Sequence, residues 1–414
     1  MKILQISNRV PWPLNEGGNI GIYNYTRAYS KLGHEVTLYC LDGAKHNTPL
    51  KEAYQELSKY AKVDIVSIDT DVKVLPALTH LLLNKSYNVT RFYNKEFEDK
   101  LIALLKGNKF DIVQIEGTFV GPYIGIVNQL HKGLLALRMH NVEFEIWERL
   151  AKNETNPLKK LYLNKLSKQL KAYETQLLKK VDIVVPVTDD DGEKFKEIDP
   201  TVQYLTIPAG IDLDSWKYSP SQDIHDWYHI GSMEWHANSE AVNWYIKDIH
   251  PKLAQLDSKY KLHLAGKGIN KPAFTKYDSL IVNDDVPSAY EFVKSLDVCV
   301  VPLKSGSGIR LKILEAMAAG KLVISTTIGA QGIDYIASKH LLIADTPSQY
   351  ANLYSQLKKG EIDWKTILKN GRNLVEEHYS TVALAKKQLD DIALCSNMGQ
   401  KKRSSIDERL VLLI

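Results

Sequence analysis

The sequence has 414 residues, of which 44% are hydrophobic and 25% are charged. This length suffices for two or more domains, and the composition is that of an ordinary globular protein. The 53 Lys and Arg residues against 49 Asp and Glu residues leave a net charge of +4, which is too balanced for a typical nucleic-acid-binding protein.

Three cysteines, Cys40, Cys299 and Cys395, are far apart in the sequence, and the first two lie within apolar runs. This spacing favours buried thiols over a disulfide framework or a zinc site. The stretch MKILQISNRV lacks an apolar segment of signal-peptide length, and no apolar run is long enough to span a bilayer. We therefore expect a cytoplasmic protein, with loose attachment to the inner face of the plasma membrane left open.

Strand and helix patterns alternate along the first half of the chain. KILQIS is a short apolar run, GIYNYTRAYSKLG has apolar residues at helical spacing before a closing glycine, and HEVTLYCL is a second apolar run. FDIVQIE, LLALRM and VDIVVPVT predict further strands. These runs are nearly all apolar instead of alternating, which is typical of parallel strands that helices cover on both faces.

The alternation pauses near TIPAGIDLDSW, where Pro208, Pro220 and a polar stretch indicate a domain junction. It restarts with runs that we interpret as strands separated by helices: WYHIGS, YKLHLAG, SLIVND, DVCVVPL and KLVISTT. The sequence therefore predicts an α/β protein with two parallel sheets, the first in residues 1–206 and the second in residues 207–380. Ligands of such sheets bind beyond the carboxyl ends of the strands, so the residues that follow each strand are the candidates.

The strongest candidate site lies in PLKSGSGIRLKILEAMAAGK, from Pro302 to Lys321. Its periodicity predicts a helix over 309–319 with Arg310 and Lys312 in the first turn, where cations are unfavourable unless an anion is bound. Amides of the loop that ends in Gly308, the helix start and the two cations together predict a diphosphate site.

Glu315 lies one turn further along the predicted helix. It can form an i,i+3 ion pair with Lys312, which contributes about 0.2–0.5 kcal/mol. Alternatively, its carboxylate can accept hydrogen bonds from the hydroxyls of a ribose.

Two loops of the first domain carry further candidates. NRVPWPLNEGG is long for a β–α loop and ends in Gly17 and Gly18, which either ease a turn or let backbone amides approach a phosphate or sugar. In RMHNVEFEIW, His140 follows a predicted strand and Asn141 can cap the next helix. At a strand end His140 is a candidate for ligand contact, although a histidine can also be structural.

Three other segments each allow a functional and a structural interpretation. VTDDDGEKF contains Asp189 and Asp191, which suit a divalent cation but also the first turn of a helix. AGKGIN lacks the third glycine of a dinucleotide fingerprint, because Lys271 stands there. A basic helix predicted over 158–180 has apolar residues along one side and lysines on the other, which indicates a packed helix with a solvated face or contact with a membrane surface.

The segment SGSGIRLKILEAMAAGKLVISTTIGAQGI resembles the donor-binding segment of retaining glycosyltransferase family 4, whose members have the GT-B fold. PWPLNEGG, KLGHEVTLY, RMHNVEFEIWERLA, IPAGIDLDSW and IGSMEWHANSEAVNWY resemble further segments of that family, in the same order, up to about Ser380. The resemblance implies two Rossmann-like domains that face each other across a cleft, the first binding the acceptor and the second the nucleotide-sugar. It also implies that a final helix, within 381–414, returns to the first domain ahead of a polar tail.

The resemblance also assigns roles to single residues. It implies that Glu315 binds the ribose, that Gly17 and Gly18 lie by the donor diphosphate, and that His140 lies by the transferred sugar. Ser307 stands where many members have an acidic residue that contacts the sugar, and GSMEWHAN, which begins at Gly231, lacks the Arg and Lys found there in many members. Arg310 and Lys312 are therefore expected to bind the diphosphate in their place.

We predict a retaining glycosyltransferase that moves a sugar from a nucleoside-diphosphate sugar to a hydroxyl of a polysaccharide, lipid-linked or glycolipid acceptor. The resemblance implies that the leaving phosphate takes the acceptor's proton, and no cofactor, metal or nucleic-acid partner is expected. The predicted catalytic residues are His140, Arg310 and Lys312. The predicted donor-binding residues are Gly17, Gly18, Gly231, Ser307, Gly308, Arg310, Lys312 and Glu315.

Two alternatives stay open at this point. A nucleotide-sugar 2-epimerase of the same fold needs carboxylates to move protons, for which Glu16, Glu116 and Glu143 are candidates. A non-catalytic nucleotide-sugar-binding protein is the other alternative, and its best support is Ser307 together with the Arg and Lys that are missing from GSMEWHAN.

Overall fold

The structure is a computed structural model that describes residues 1–14, 17–43, 48–71, 73, 79–80, 86–269, 277–283, 286–305 and 309–394. The chain divides into two compact units. Unit 1 comprises Met1–Pro208 together with the chain from Leu384 onward, and unit 2 comprises Ala209–Ala383. None of the helices in the described part of the chain is long and apolar enough to cross a membrane.

Unit 1 is built on one parallel sheet. Its strands are β1 (Lys2–Ser7), β2 (Glu35–Gly43), β3 (Lys62–Ile68), β4 (Ile112–Glu116), β5 (Leu134–Met139) and β6 (Ile183–Pro186). They lie side by side in the order β3-β2-β1-β4-β5-β6, and every neighbouring pair is parallel. The described helices are α1 (Gly17–Lys31), α2 (Leu50–Leu57), α3 (Tyr87–Thr90), α4 (Lys95–Gly107), α5 (Ile124–Leu130), α6 (Glu143–Asn153), α7 (Pro157–Leu178) and α8 (Asp189–Ile198), with a 3-10 turn at Thr118–Tyr123.

Unit 2 repeats this plan. Its strands are β7 (Asp226–Ile230), β8 (Lys261–Ala265), β9 (Leu280–Asn283), β10 (Val298–Val301), β11 (Leu322–Ser325) and β12 (Leu342–Ile343). They lie in the order β12-β11-β10-β7-β8-β9, again all parallel. The described helices are α9 (His236–Trp244), α10 (His250–Leu256), α11 (Ala289–Lys294), α12 (Leu311–Ala319), α13 (Pro347–Lys359) and α14 (Trp364–Leu374), with π-helical turns at Tyr245–Ile249 and Val375–Tyr379. A last helix, α15, covers residues 381–394, and its residues from Leu384 group with unit 1.

The predicted α/β class with two parallel sheets is confirmed. The central strands are buried on both faces, as their continuous apolar runs indicate, and helices supply the other side of each core. In both sheets the chain first builds outward on one side of its first strand and then crosses to the other side. The crossing falls between β1 and β4 in unit 1 and between β7 and β10 in unit 2, and ligands of open α/β sheets bind at such switch points.

Three local expectations need correction. Helix α1 begins at Gly17, so Gly17 and Gly18 lie in its first turn and not in the loop before it. Helix α12 begins at Leu311, so Arg310 is its N-cap residue and only Lys312 lies in the first turn. Helix α6 has Val142 as its N-cap residue, and its first amides are bound by another side chain instead of Asn141.

Candidate functional site

The amino group of Lys312 lies at the switch point of unit 2 and is held by two neutral side chains. Its Nζ donates to Oδ1 of Asn238 on α9 at 2.9 Å and lies 3.4 Å from Nε2 of His229 on β7. Nδ1 of His229 lies 2.9 Å from the carbonyl oxygen of Val300, which can only accept, so Nδ1 carries the proton and Nε2 accepts from Lys312. Neither partner compensates the positive charge of the lysine.

Burial gives this lysine an unusual pKa. Burial lowers the pKa of Lys312 to about 8, and the charge of Arg310 lowers it further, while Cys299 and Glu315 oppose the shift. Burial also lowers the pKa of His229 well below its ordinary value, with a further contribution from the charge of Lys312. His229 is therefore a neutral acceptor, and an anion beside Lys312 would restore the ordinary pKa of the lysine.

Gly231 makes room for this arrangement. A Cβ on Gly231 would lie 2.6 Å from Nζ of Lys312 and 2.7 Å from Nδ2 of Asn238. Gly266 has a φ of +135°, and a Cβ there would lie 2.0 Å from the carbonyl oxygen of Gly231. The glycine of AGKGIN that follows β8 thus has a packing role, because it lets two backbone segments approach closely. Lys271, which breaks the dinucleotide pattern, lies outside the described residues.

Arg310 lies one residue before α12 and is almost fully buried. Its side chain is 6% exposed, and its guanidinium carbon lies 5.3 Å from the ring centre of Trp235. The first turn of α12 contains no acidic residue, so the positive end of the helix adds to the charges of Arg310 and Lys312. Two further predicted donor residues, Ser307 and Gly308, lie outside the described residues.

Glu315 lies one turn along α12 and does not pair with Lys312. Among the residues that the structure describes, none hydrogen-bonds to the Glu315 carboxylate or pairs with it. Burial raises the pKa of Glu315 to about 7, although the nearby charge of Lys312 lowers it. The i,i+3 ion pair that was the structural alternative is absent here, because the Lys312 amino group turns to Asn238 and His229 instead. None of the described residues therefore competes with a ligand for this carboxylate.

His140 in unit 1 lies directly after β5 and contacts a buried carboxylate. Its Nε2 lies 3.1 Å from Oε2 of Glu116, the last residue of the neighbouring strand β4. Burial would raise the pKa of Glu116, but the hydrogen bond and charge of His140 and the charge of Arg138 bring it below its ordinary value. An ionised Glu116 can only accept, so Nε2 of His140 carries the proton that it donates to this carboxylate. In the neutral ring Nδ1 is then an acceptor, and this nitrogen lies on the side of Gly21.

The position of Glu116 is fixed by a buried polar network. Its second oxygen, Oε1, accepts from Nε2 of Gln5 at 3.0 Å and from Nε2 of Gln114 at 2.5 Å. The two amide oxygens of these glutamines are satisfied in turn by donors on two helices: on α1, Thr26 donates to Gln5 and Tyr29 donates to Gln114, and on α15, Gln388 donates to Gln114. Because Gln5 and Gln114 are themselves held by hydrogen bonds, the carboxylate is held in one orientation.

Arg138 joins the same network from β5. Its guanidinium carbon lies 3.8 Å from the ring centre of Tyr25, and its NH1 lies 3.5 Å from Oε1 of Gln388. Gln388 belongs to the last helix, α15, so this helix contributes to the network that holds Glu116. The residues from Leu384 onward group with unit 1.

The start of α1 lies next to a second cation. A Cβ on Gly18 would lie 3.1 Å from Nη1 of Arg9, so the arginine covers the first turn of α1.

On α6, burial raises the pKa of Glu143, while Asn141, Arg9 and His140 oppose the shift. The side chain that binds the first amides of α6, in place of Asn141, is Glu174, whose Oε2 accepts from the Phe144 amide at 3.1 Å. The epimerase candidate Glu16 lies outside the described residues.

The aspartate-rich segment VTDDDGEKF forms the start of helix α8, as its structural interpretation expected. Thr188 is the N-cap residue of α8 and accepts from the amide of Asp191 at 3.1 Å, while Asp189, Asp190 and Asp191 occupy the first turn. Carboxylates are favourable at that end of a helix. Within the described ranges, no group of three or more His, Cys, Asp or Glu residues is arranged to hold a metal ion.

Comparison with known proteins identifies a family model, a similar sequence and similar structures. Residues 225–359 match the family model described as "Glycosyl transferases group 1". The chain is 24% identical over 396 residues to the "Uncharacterized 44.6 kDa protein in cps region" of Klebsiella pneumoniae, covering 92% of this chain and 97% of that protein. It also resembles the crystal structure of Anabaena Alr3699/HepE in complex with UDP, with a TM-score of 0.61 at 12% identity over 95% of this chain and 100% of that one.

A further similar structure is the pneumococcal O-GlcNAc transferase GtfA in complex with UDP and GlcNAc, with a TM-score of 0.58 at 14% identity over 95% of this chain and 99% of that one. At these identities the likeness establishes the fold, which is the GT-B fold that the sequence resemblance implied. The family model covers β7 to α13 and thus includes His229, Gly231, Lys312 and Glu315. Residues 225–359 thus resemble a family of glycosyl transferases, and the solved structures add the likeness in fold.

Proposed function

We propose that this protein is a retaining glycosyltransferase that moves a sugar from a nucleoside-diphosphate sugar to a hydroxyl acceptor. One observation carries the proposal: Lys312 is held between His229 and Asn238 at the start of a helix, and no described carboxylate forms an ion pair with it. A cation with a lowered pKa at the positive end of a helix is a site for an anion. A diphosphate fits this site because it brings two negative groups to Lys312 and Arg310.

The neighbouring carboxylate fits the rest of a nucleotide. Glu315 lies one turn beyond Lys312, and no described residue occupies its oxygens, so they can accept hydrogen bonds from two vicinal ribose hydroxyls. We propose uridine diphosphate as the first nucleotide to test, because two of the similar structures hold UDP. Unit 2 is therefore the donor-binding unit in this proposal, and unit 1 takes the acceptor.

His140 is proposed to contact the transferred sugar. Glu116 accepts from Nε2, so the ring presents Nδ1 as an acceptor to a sugar hydroxyl. Glu116 does not reach the sugar in this account: it fixes the orientation and tautomer of His140. Gly17 and Gly18 offer the free amides of the α1 first turn to the diphosphate, beside Arg9.

The proposed reaction breaks the bond between the anomeric carbon and the diphosphate and forms a bond from the same face to the acceptor oxygen. Negative charge develops on the departing diphosphate, where Lys312 and Arg310 stabilise it. The acceptor's proton goes to the departing phosphate, so no side chain is needed as a base. The donor's anomeric configuration is retained because the new bond forms on the face that the diphosphate leaves.

The acceptor class is proposed as a glycan or a lipid-linked intermediate of polysaccharide synthesis. The similar Klebsiella protein is named for the cps region, which supports a role in polysaccharide assembly. We place the reaction in the cytoplasm, where nucleotide-sugars would reach unit 2.

The epimerase alternative is disfavoured by the environment of Glu116. A carboxylate that moves a proton from carbon must be free to accept one, whereas Glu116 is buried and accepts from three side chains. Incubation of the donor in deuterated water tests this alternative, since a 2-epimerase incorporates deuterium at the second carbon and a transferase does not.

The proposal is tested by incubating the purified chain with UDP-sugars and a panel of hydroxyl acceptors and following UDP release and the glycoside product. The anomeric coupling constant of the product reports its configuration. Product with the donor's configuration is the expected result. An inverted product would contradict the mechanism, and a chain that binds UDP tightly but never turns over any donor would support the binding-protein alternative.

A further inference from the structure

Helices α6 and α7 form a hairpin whose closed end carries exposed apolar side chains. The two helices pack on each other and are joined by residues 154–156, and Asn156 caps α7 by accepting from the amides of Leu158 and Lys159. Helix α7 is therefore capped at its start and is helical from Pro157 onward. We define the hairpin tip by its exposed apolar residues: Leu150, Leu158, Leu161 and Tyr162.

The exposure of the hairpin tip is unusual for this protein. Leu158 is 80% exposed and Leu161 is 70% exposed, more than any other large hydrophobic side chain in the described ranges. Further along the same helix, Leu166 and Leu170 are buried in the core of unit 1. The apolar positions of α7 thus serve two purposes: the later ones pack the core, and the first ones face solvent.

The exposed residues form one surface. Leu158, Leu161 and Tyr162 are spaced i, i+3 and i+4, so their side chains lie on the same face of α7. Leu150 lies in the last turn of α6, next to the start of α7, and is 50% exposed. Isolated exposed leucines need no explanation, but several that adjoin each other mark an interaction surface.

The charge around the hairpin tip indicates what covers it. Residues 157–173 contain five lysines and no Asp or Glu, whereas the whole chain has a net charge of only +4. Lys165 lies on the same face as Leu161, one turn further on. The lysines of α7 are Lys159, Lys160, Lys165, Lys168 and Lys171, and all of them are exposed.

Few nearby groups neutralise these lysines. Lys159 pairs with Glu154 at 2.6 Å, and the ammonium of Lys171 lies 4.9 Å from the ring centre of Phe144. No other ion pair to a lysine of α7 occurs among the described residues. Exposed leucines beside five lysines, of which one is paired with a carboxylate, fit a surface that is apolar inside and negatively charged outside, which is an anionic lipid bilayer.

We infer that the hairpin tip docks on an anionic membrane, with Leu158, Leu161 and Tyr162 inserted at the level of the headgroups and the lysines of α7 in contact with lipid phosphates. This inference does not depend on the proposed sugar transfer. It concerns a surface of unit 1 whose first residue, Leu150, lies on α6, the helix that begins three residues after His140.

The test is flotation of the full chain with lipid vesicles of two compositions, pure phosphatidylcholine and phosphatidylcholine with phosphatidylglycerol. Binding to the anionic vesicles alone, weakened by salt, is the expected result. Leu158→Ser with Leu161→Ser should weaken it by about tenfold or more. Lys165→Gln with Lys168→Gln should weaken it by roughly fivefold for each lysine removed.

A matched control is Leu256→Ser, which changes a leucine of unit 2 that is 53% exposed and is followed directly by Asp257. It should bind vesicles like the parent, and circular dichroism should show that all variants are folded. Absence of binding to anionic vesicles, equal binding to both compositions, or equal binding by the parent and the leucine variant would overturn the inference. A parent dimer that the leucine variant dissociates, without vesicle binding, would instead identify the hairpin tip as a contact between two copies.

Discussion

The amino group of Lys312 donates to Nε2 of His229 at 3.4 Å, although the two residues are 83 positions apart in the sequence. The imidazole can accept because its other nitrogen donates to the Val300 carbonyl on the adjacent strand β10. A buried lysine is thus oriented by neutral groups instead of a carboxylate. Its two hydrogen-bond partners position its charge without compensating it, which is the arrangement that an anion-binding site requires.

The pKa of Lys312 predicts how UDP binding depends on pH. With a pKa of about 8 in the empty protein, the amino group loses its proton above that pH, whereas bound diphosphate favours the charged form. The dissociation constant of UDP should therefore be nearly constant from pH 7 to 7.5 and rise by up to about tenfold per pH unit above pH 8, with proton uptake on binding. Calorimetric titration in buffers of different ionisation enthalpy measures both effects. A Lys312→Met variant should lose this pH dependence, and a flat profile for the parent would refute the assignment.

The same group affects stability in the opposite direction. The pKa of Lys312 is lower in the folded protein than in the unfolded chain, so between about pH 8 and 10 the unfolded chain binds more protons. The contribution of this group to the free energy of unfolding therefore rises with pH in that window, while UDP binding weakens.

Gly231→Ala should displace Lys312. The new Cβ would lie 2.6 Å from Nζ, so either the lysine or the strand end must move, at a cost of about 1–3 kcal/mol in the free energy of unfolding. We expect UDP binding to be lost or strongly weakened, measured by calorimetry on protein that circular dichroism shows to be folded.

Gly125→Ala is the matched control for that substitution. Gly125 lies in α5, and a Cβ there meets nothing within 4 Å. An alanine in this helix should raise the free energy of unfolding by about 0.5–1 kcal/mol and leave UDP binding unchanged. If the two glycine variants bind UDP equally well, Gly231 is not part of the site.

His140→Ala should keep UDP binding and lose transfer, by roughly 10- to 100-fold in kcat if one hydrogen bond to the reacting sugar is removed. Glu116→Gln should act through His140, because an amide cannot accept at both of its heavy atoms. It leaves a buried donor unpaired at a cost of about 1–3 kcal/mol in stability.

The ring of His140 provides a readout that a stability defect alone would not move. In Glu116→Gln the proton of His140 should shift between Nδ1 and Nε2, which nitrogen chemical shifts detect. Glu174→Gln changes another buried carboxylate of unit 1 that does not contact His140, so its ring should keep the parent tautomer. An unchanged His140 signal in Glu116→Gln would remove the positioning role.

Activity should not depend on a divalent metal. Asp189 and Asp191 occupy a helix first turn with Thr188 as the cap, which explains their presence without a cation. Transfer measured with excess chelator should equal transfer measured without it. A rate that collapses with chelator and returns with Mn²⁺ or Mg²⁺ would mean that a metal site exists despite this arrangement.

The fold class was predictable because the buried strands are continuous apolar runs. The two strands that escaped prediction have physical reasons to do so. In β3, KVDIVSI alternates in exposure at the edge of the sheet, and β12 has only two residues. The starts of α1 at Gly17 and of α12 at Leu311 were each misplaced by a few residues. Glycines at the first helix and an arginine, Arg310, as the N-cap residue of the second give weak capping signals.

The site was predictable only in part. Lys312 could be singled out because cations at a helix start are unfavourable, which is a local signal. His229 and Asn238 could not be linked to it, since only the sheet order brings β7 beside β10. The one signal in the sequence for His229 was that a histidine lies within the apolar run of β7. Glu116 likewise entered only as an epimerase candidate, and its contact with His140 depends on the pairing of β4 with β5.

The central claim is that Lys312 and Arg310 bind the diphosphate of a nucleotide, and calorimetric titration of UDP and of uridine tests it most directly. For the parent we expect UDP to bind far more tightly than uridine. Lys312→Met and Arg310→Gln should each weaken UDP binding by roughly 10- to 150-fold, the equivalent of a charge-assisted hydrogen bond of about 1.5–3 kcal/mol, and leave uridine binding nearly unchanged. Equal binding of UDP by the parent and both variants would contradict the account, as would equal losses for UDP and uridine, which would indicate a folding defect.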